Sequence, residues 1–418
     1  MVCVSLKQTK TYKQGFINLN SLKLSTRNKT VAIFSANYLP HLGGVEYFTY
    51  HLSEQLEKMG NHAIIITSNV FNLAEHETLE SGAEIFRLPC YSLMDGRLPL
   101  PRKNHDFKKL LYIASKQIID YVLINTRFYP HSLIAANFAK QLGIKPIVLD
   151  HGSAYLTLNN PLIDSAIKIY EHLITFLLKQ HPCDYYGISQ ASLQWLSTFN
   201  IKGKGVINNS IDADTYLAKA SNRDFLREFG LCNEDFLVCF TGRLIPEKGI
   251  ASLVEAAEYF SSTNSNIHFF LAGDGPLKQF VIDKNLKNIH LTGTINPADI
   301  ASLLTQSDVL CLPSRSEGFA TSLLEASACY TPSIITKVGG VAELIPSSEY
   351  GIVIQDASQT NICKAIEKLY DNRSTAVQMG KNVGQRVRKL FSWQGTVSKV
   401  LYACQQANNQ ESIRKTHE

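Results

Sequence analysis

Two carboxylates and two cations carry the chemistry legible in this chain. Glu317 lies in a polar loop, Pro313 to Gly318, between an apolar run, Val309 to Leu312, and a helical stretch opening near Ala320. Glu325 lies inside that stretch. The pair straddles a helix N-terminus, whose unpaired N–H groups and partial positive charge suit a phosphate. Two carboxylates beside an anion repel it unless they bind other groups on the same ligand. Ionised carboxylates only accept hydrogen bonds, so hydroxyls are the natural partners. A phosphate flanked by hydroxylated groups is a nucleotide sugar. Alone, the spacing also suits a solvated loop acid and a surface helix residue. Other motifs must decide.

Arg243 and Lys248 follow an apolar run in TGRLIPEKG. Arg can fork onto phosphate oxygens, and Lys adds a point charge. The alternative is a surface pair flanking Pro246 and Glu247. His151 ends the run PIVLD. There it can donate to a leaving group or a sugar hydroxyl, or serve the structure alone. Gly43 and Gly44 follow the first apolar run and open a helix. Glycines at that place let backbone approach a phosphate or sugar. No Gly-x-Gly-x-x-Gly follows a strand, which removes the main support for a dinucleotide dehydrogenase, and no P-loop motif occurs.

The elements that must position these residues alternate. Strands are predicted over 31–34, 62–68, 84–88, 121–125, 146–150, 185–189 and 205–208, with helices over 45–59, 106–119, 132–141 and 161–179 between them. Residues 202–213 resemble a hinge. Alternation then restarts with strands over 236–241, 267–272, 288–292, 309–312, 333–336 and 352–354, and ends in a helical tail over 358–406. Two doubly wound α/β halves result, and such sheets bind ligands beyond the carboxyl ends of their strands.

Composition sets the bounds. With 418 residues, 45% hydrophobic and 18% charged, the chain suits two or three ordinary globular domains. No eighteen-residue apolar run is present, so no transmembrane helix is expected. Nine scattered cysteines without a Cys-x-x-Cys pair suggest a reducing, cytoplasmic setting. Residues 1–210 hold 21 Lys+Arg against 14 Asp+Glu, a net +7, whereas residues 211–418 are net −2. The basic half suggests an anionic partner or merely a soluble face. The predicted helix Asp106 to Ile119, with Lys108, Lys109 and Lys116 beside Leu110, Leu111, Ile113, Ala114, Ile118 and Ile119, either packs on the sheet or rests on an anionic leaflet.

The motifs GGVEYF, DHGSAY, INNSIDADTY, TGRLIPEKG, AGDGP, TGTI, EGFATSLLEA and VGGVAELI occur in this order. The series resembles the GT-B glycosyltransferases of family 4, retaining nucleotide-sugar transferases, over about residues 30–400. The resemblance implies two Rossmann-like domains facing across a cleft. It divides the chain into a basic extension (1–28), an acceptor domain (29–210), a donor domain (211–391) and a last helix crossing back to the first domain, with a tail (392–418). It also implies roles for single residues. Arg243 and Lys248 would bind the donor diphosphate, Glu325 the ribose hydroxyls, and Glu317 and His151 the reacting sugar. Backbone N–H groups of Phe319, Ala320 and Thr321 would face the phosphates, Thr294 and Ile295 would frame the base, and Gly43 and Gly44 would face the donor.

No cofactor or metal is implied, because the cations and the helix end replace it. The implied acceptor is a hydroxyl of a glycan or lipid-linked glycan, as in bacterial polysaccharide or glycolipid synthesis. Contact with an anionic membrane is expected to be peripheral at most, and no nucleic-acid partner is expected. Departures occur at Ala320, Tyr330 and Ser210, where the family usually has Gly, and Tyr330 suggests a different helix end. Two rivals remain at this point. One is a glycosyltransferase-like protein that binds without turnover, and the other a Rossmann-type nucleotide-sugar oxidoreductase or epimerase.

Overall fold

The computed structural model describes residues 28–415, apart from 42, 95, 156–159 and 265. All but the last residue of the expected basic extension, 1–28, lies outside the described residues.

The first half is built on near-continuous apolar runs, as strands buried on both faces require. Its strands are β1 (Thr30–Ser35), β2 (His62–Ser68), β3 (His76–Thr78), β4 (Glu84–Leu88), β7 (Tyr121–Asn125), β8 (Ile147–Asp150), β9 (Asp184–Gly187) and β10 (Gly205–Val206). Their order is β10-β9-β8-β7-β1-β2-β4-β3, parallel except for β3 against β4. Between β4 and β7, β5 (Cys90–Leu93) and β6 (Leu98–Pro101) form a separate antiparallel hairpin. Its Pro99 and Pro101 suit a strand with a free edge. The helix α1 (Gly44–Lys58) covers one sheet face through Phe48, Leu52 and Leu56. The opposite face carries α2 (His105–Ser115), α3 (Pro130–Gln141) and α4 (Pro161–Leu178). Phe107, Leu110 and Ala114 of α2 are buried in that core, so packing on the sheet is what this helix's inner side does.

The second half repeats the plan with β11 (Phe236–Thr241), β12 (Ile267–Ala272), β13 (Ile289–Gly293), β14 (Val309–Leu312), β15 (Ser333–Thr336) and β16 (Ile352–Ile354). The order is β13-β12-β11-β14-β15-β16, all parallel. Successive strands step outward from β11 on one side and from β14 on the other. The switch point therefore lies between β11 and β14, and in the first sheet between β1 and β7. Crevices open at such points, beyond the strands' carboxyl ends.

The chain passes between the halves twice, side by side. Ile211 donates its N–H to the Phe391 carbonyl at 3.0 Å, and Ser210 Oγ lies 2.7 Å from Thr396 Oγ1. Ser210 thus ties the outgoing strand to the returning helix, Trp393–Lys415, which packs against α1, β7 and β8. Among the described residues no helix is long and apolar enough to cross a membrane.

Candidate active site

At the switch point of the second sheet, Arg243 lies just beyond β11 and Lys248 in the short helical turn Pro246–Lys248. Glu317 follows β14 and brings its carboxylate within 2.5 Å of Lys248 Nζ. Arg243 is exposed and has no ion pair among the described residues. The helix Thr321–Ala328 starts at Ala320 with no side chain capping it, which leaves its first N–H groups for an anion. Thr321, Ser322 and Glu325 are its only half-buried residues, the rest being buried, and their spacing sets them on one face. The Glu325 carboxyl makes no hydrogen bond among the described residues, and burial pushes it up to about 7. An acid held at such cost and left without a partner is a candidate for ligand binding. Thr294 and Ile295 lie just beyond β13, on the same carboxyl edge.

Two glycines explain how this loop holds its shape. Gly339 has a φ of 51°, and a Cβ there would stand 2.5 Å from the Glu317 and Gly318 carbonyl oxygens. A Cβ on Gly318 would stand 2.0 Å from the His151 carbonyl oxygen, so only glycine lets this second-half loop reach the first half. Ser153 Oγ donates to the Glu317 carbonyl at 2.5 Å, and Glu343 Oε1 accepts from the Gln190 N–H at 2.6 Å. The two crevices therefore meet at Glu317-Gly318 and His151. Sequence reasoning missed Glu343, although it sits in the VGGVAELI motif; a buried carboxylate reaching another domain leaves no local signal.

On the first sheet's side, a cavity of about 180 Å³ opens at the switch between β1 and β7. Asn37, Glu46, Thr126, Tyr129 and His151 line it. Asn37 Oδ1 and Thr126 Oγ1 are buried without a hydrogen-bond partner, which is costly and marks polar groups awaiting one. Thr126 holds a φ of 66°, an outlier for a β-branched residue. Backbone strain of about 1–3 kcal/mol is kept at this position. Glu46 bonds His41 Nδ1 at 3.1 Å, and burial raises its carboxyl above the usual range. Gly43, extended, caps α1 beside the Glu46 carboxylate, whereas open space surrounds Gly44. Asn37, Glu46, Thr126 and Tyr129 were not expected from sequence; only the Glu of GGVE hinted at this site.

The hydrogen-bond chain fixes His151's tautomer. Asn125 Nδ2 donates to Thr49 Oγ1 at 2.8 Å, so Asn125 Oδ1 is an acceptor, and it accepts from His151 Nε2 at 3.2 Å. Burial pushes the imidazole down to about 3, so the ring is neutral and Nδ1 carries a lone pair. Of the two roles open to His151 in the sequence, donation from Nε2 goes to Asn125, which leaves Nδ1 as an acceptor.

Two departures also resolve. Tyr330 has a φ of 61°, so the left-handed helix end expected of Gly is kept rather than replaced. The Arg388 guanidinium lies 4.3 Å from its ring centroid, and on the helix Arg373–Leu390 Gly384 leaves room for the ring and Gly380 for the Tyr330 carbonyl. Ala320 is buried with a φ of −64°, which any residue adopts.

Residues 222–386 match the family model described as glycosyl transferases group 1. An uncharacterized glycosyltransferase of Methanocaldococcus jannaschii is 24% identical over 387 residues, covering 89% of this chain and 97% of that protein. The GPI3 component of the Saccharomyces cerevisiae phosphatidylinositol N-acetylglucosaminyltransferase is 23% identical over 385 residues, covering 89% of this chain and 81% of that one. The structure of Anabaena HepE in complex with UDP superposes with a TM-score of 0.66 at 17% identity, covering 92% of this chain and 100% of that one. The fold is that of the GT-B enzymes, two Rossmann-like domains across a cleft.

Proposed function

We infer that this chain, a GT-B glycosyltransferase, moves one sugar from a nucleotide-diphosphate sugar to an acceptor hydroxyl with retention at the anomeric carbon. The observation that carries this reading is the cluster at the β11–β14 switch point. There, one exposed cation, one cation paired to a carboxylate, an uncapped helix end and an acid without a hydrogen-bond partner among the described residues gather near the sheet's carboxyl edge. UDP in the HepE complex supports a nucleotide donor.

The diphosphate lies over Arg243, Lys248 and the N–H groups at Phe319, Ala320 and Thr321, in place of a divalent metal. Glu325 accepts from ribose hydroxyls, and Thr294 and Ile295 frame the base. Glu317 accepts from hydroxyls of the transferred sugar, and His151 Nδ1 accepts from another. The bond from the anomeric carbon to the phosphate oxygen breaks as the acceptor oxygen bonds to that carbon on the same face. The acceptor's proton passes to the departing phosphate oxygen. Charge grows on the diphosphate as this happens, so preorganised cations and N–H groups favour the transition state over the ground state.

The cavity lined by Asn37, Glu46 and Thr126 takes the acceptor's hydroxylated end. That acceptor is a glycan or lipid-linked glycan, and the yeast relative named for phosphatidylinositol supports a lipid-linked one. The eight described cysteines are free, which suits a reducing cytoplasm.

Incubation with UDP- and GDP-sugars, water serving as a slow acceptor, tests the reading by proton NMR. The first-formed free sugar should keep the donor's anomeric configuration, and EDTA should leave the rate unchanged. Release of the opposite anomer contradicts retention, and no release from any nucleotide sugar contradicts transfer.

A further inference from the structure

The helix α4 exposes more apolar side chains than a helix that faces water usually does. Its inner face buries Ile174 and Leu178 together with Glu171 and Thr175, which clasp the buried Arg127 at 3.1 and 3.0 Å, while Asp150 holds the same guanidinium at 3.0 Å. Its outer face carries Leu162, Ile169, Leu173 and Phe176, which are 84%, 71%, 54% and 60% exposed. Spacings of three, four and seven residues put the last three on one stripe. A helix of 18 residues is about 27 Å long, so the stripe is not a single stray side chain. Contiguous exposed apolar surface of this kind marks an interaction site.

The charge around it selects the partner. The helices α2, α3 and α4 cover the same face of the first sheet. Lys108, Lys109 and Lys116 on or just past α2, Lys140 of α3 and Lys168 and Lys179 on or flanking α4 are all exposed. Against these six cations the three helices offer Asp106 and the half-buried Asp164, since Glu171 is spent on Arg127. Tyr112 and Ile113 of α2 add outward apolar surface, at 61% and 40% exposure. Apolar side chains among lysines match a leaflet whose headgroups are anionic and whose interior is hydrocarbon.

We propose that the outer face of α4, flanked by the lysines of α2 and α3, is a docking surface for an anionic lipid leaflet. The helix lies in the plane of the interface, with Leu162, Ile169, Leu173 and Phe176 below the headgroups and the lysines among them. The sequence left the segment 106–119 open between this role and packing on the sheet, and its inner face is packed on the sheet. The signal for α4 was present in its sequence, in more apolar positions than one buried face can use.

The proposal rests on the first half of the chain and does not depend on the donor assignment. Flotation of the full chain tests it, with vesicles of phosphatidylcholine alone or of phosphatidylcholine with roughly 30% phosphatidylglycerol. The wild type should float with the anionic vesicles at low salt and be released at high salt. The double variant Ile169→Glu/Leu173→Glu should bind them at least about tenfold more weakly with an unchanged melting temperature, because both side chains are exposed in the free protein. Equal flotation of variant and wild type overturns the proposal, as does no flotation of the wild type. Equal binding to neutral vesicles overturns the choice of an anionic leaflet. A wild-type dimer that the double variant converts to monomer in sedimentation assigns the surface to a second copy instead.

Discussion

Lys248 and Glu317, 69 positions apart in sequence, meet at 2.5 Å across the switch point of the second sheet. The pair holds the ammonium in the crevice before any ligand enters. It also gives the two residues opposite behaviour on mutation. Lys248→Ala removes a cation from the diphosphate and leaves the Glu317 carboxylate unpaired beside it. Turnover should fall on the order of 10²-fold, and by more than for Arg243→Ala, which leaves no orphaned acid. Glu317→Gln should impair transfer while leaving nucleoside diphosphate binding intact or slightly tighter, since Lys248 is released to the phosphates. Steady-state kinetics and calorimetry separate these effects. Equal turnover losses for Lys248→Ala and Arg243→Ala would contradict the coupling.

Glu325 makes donor binding depend on pH. Its carboxyl titrates at about 7, raised by burial from 4.5. Ribose hydroxyls bind the ionised form, so nucleotide affinity should rise with pH up to about 7 and then level off. Glu325→Gln should weaken binding and remove this dependence; comparing the two proteins cancels the titration of the diphosphate itself. Stability moves the other way. The folded chain keeps a proton that the unfolded chain releases between pH 4.5 and 7. Stability should therefore fall as pH rises through that window, by up to about 3 kcal/mol, and Glu325→Gln should flatten it. Denaturant titrations at several pH values across and beyond that window read this directly.

Tyr330 and Gly384 should show a coupling of opposite sign to their single effects. A Cβ on Gly384 would stand 2.2 Å from Tyr330 Cδ1. Gly384→Ala should destabilise by about 1–3 kcal/mol through overpacking. In a Tyr330→Gly background the clash is gone, and the same change should be neutral or stabilising, by up to about 1 kcal/mol, through helix propensity. Thermal or urea unfolding of the four proteins completes the cycle. Additive effects would show that the ring does not occupy the groove.

The parallel strands were legible because buried strands read as apolar runs. The placement of Arg243, Lys248, Glu317 and Glu325 at one end of the second sheet was legible because each lies in a loop or first helical turns directly after an apolar run. What sequence did not reveal depends on partners far along the chain. The bond between Lys248 and Glu317 joins two loops, and Glu343 reaches Gln190 in the other half. Thr126 takes a left-handed backbone that its residue type argues against. Tyr330 does the same, and Gly380 and Gly384, far on in the chain, leave room for its carbonyl and its ring. The short strands β3, β5 and β6 lack long apolar runs, and the outward face of α4 emerges only once Arg127 has claimed the inward one.

The central claim is that a nucleoside diphosphate sits at the β11–β14 switch point. Thermal unfolding with UDP and with GDP, for the wild type and for Arg243→Ala/Lys248→Ala, tests it most directly. A ligand selective for the native state raises the melting temperature. At least one of the two nucleotides should raise that of the wild type, and the double variant should lose most of the shift. No shift with either nucleotide, or a shift of equal size in the double variant, would contradict the account.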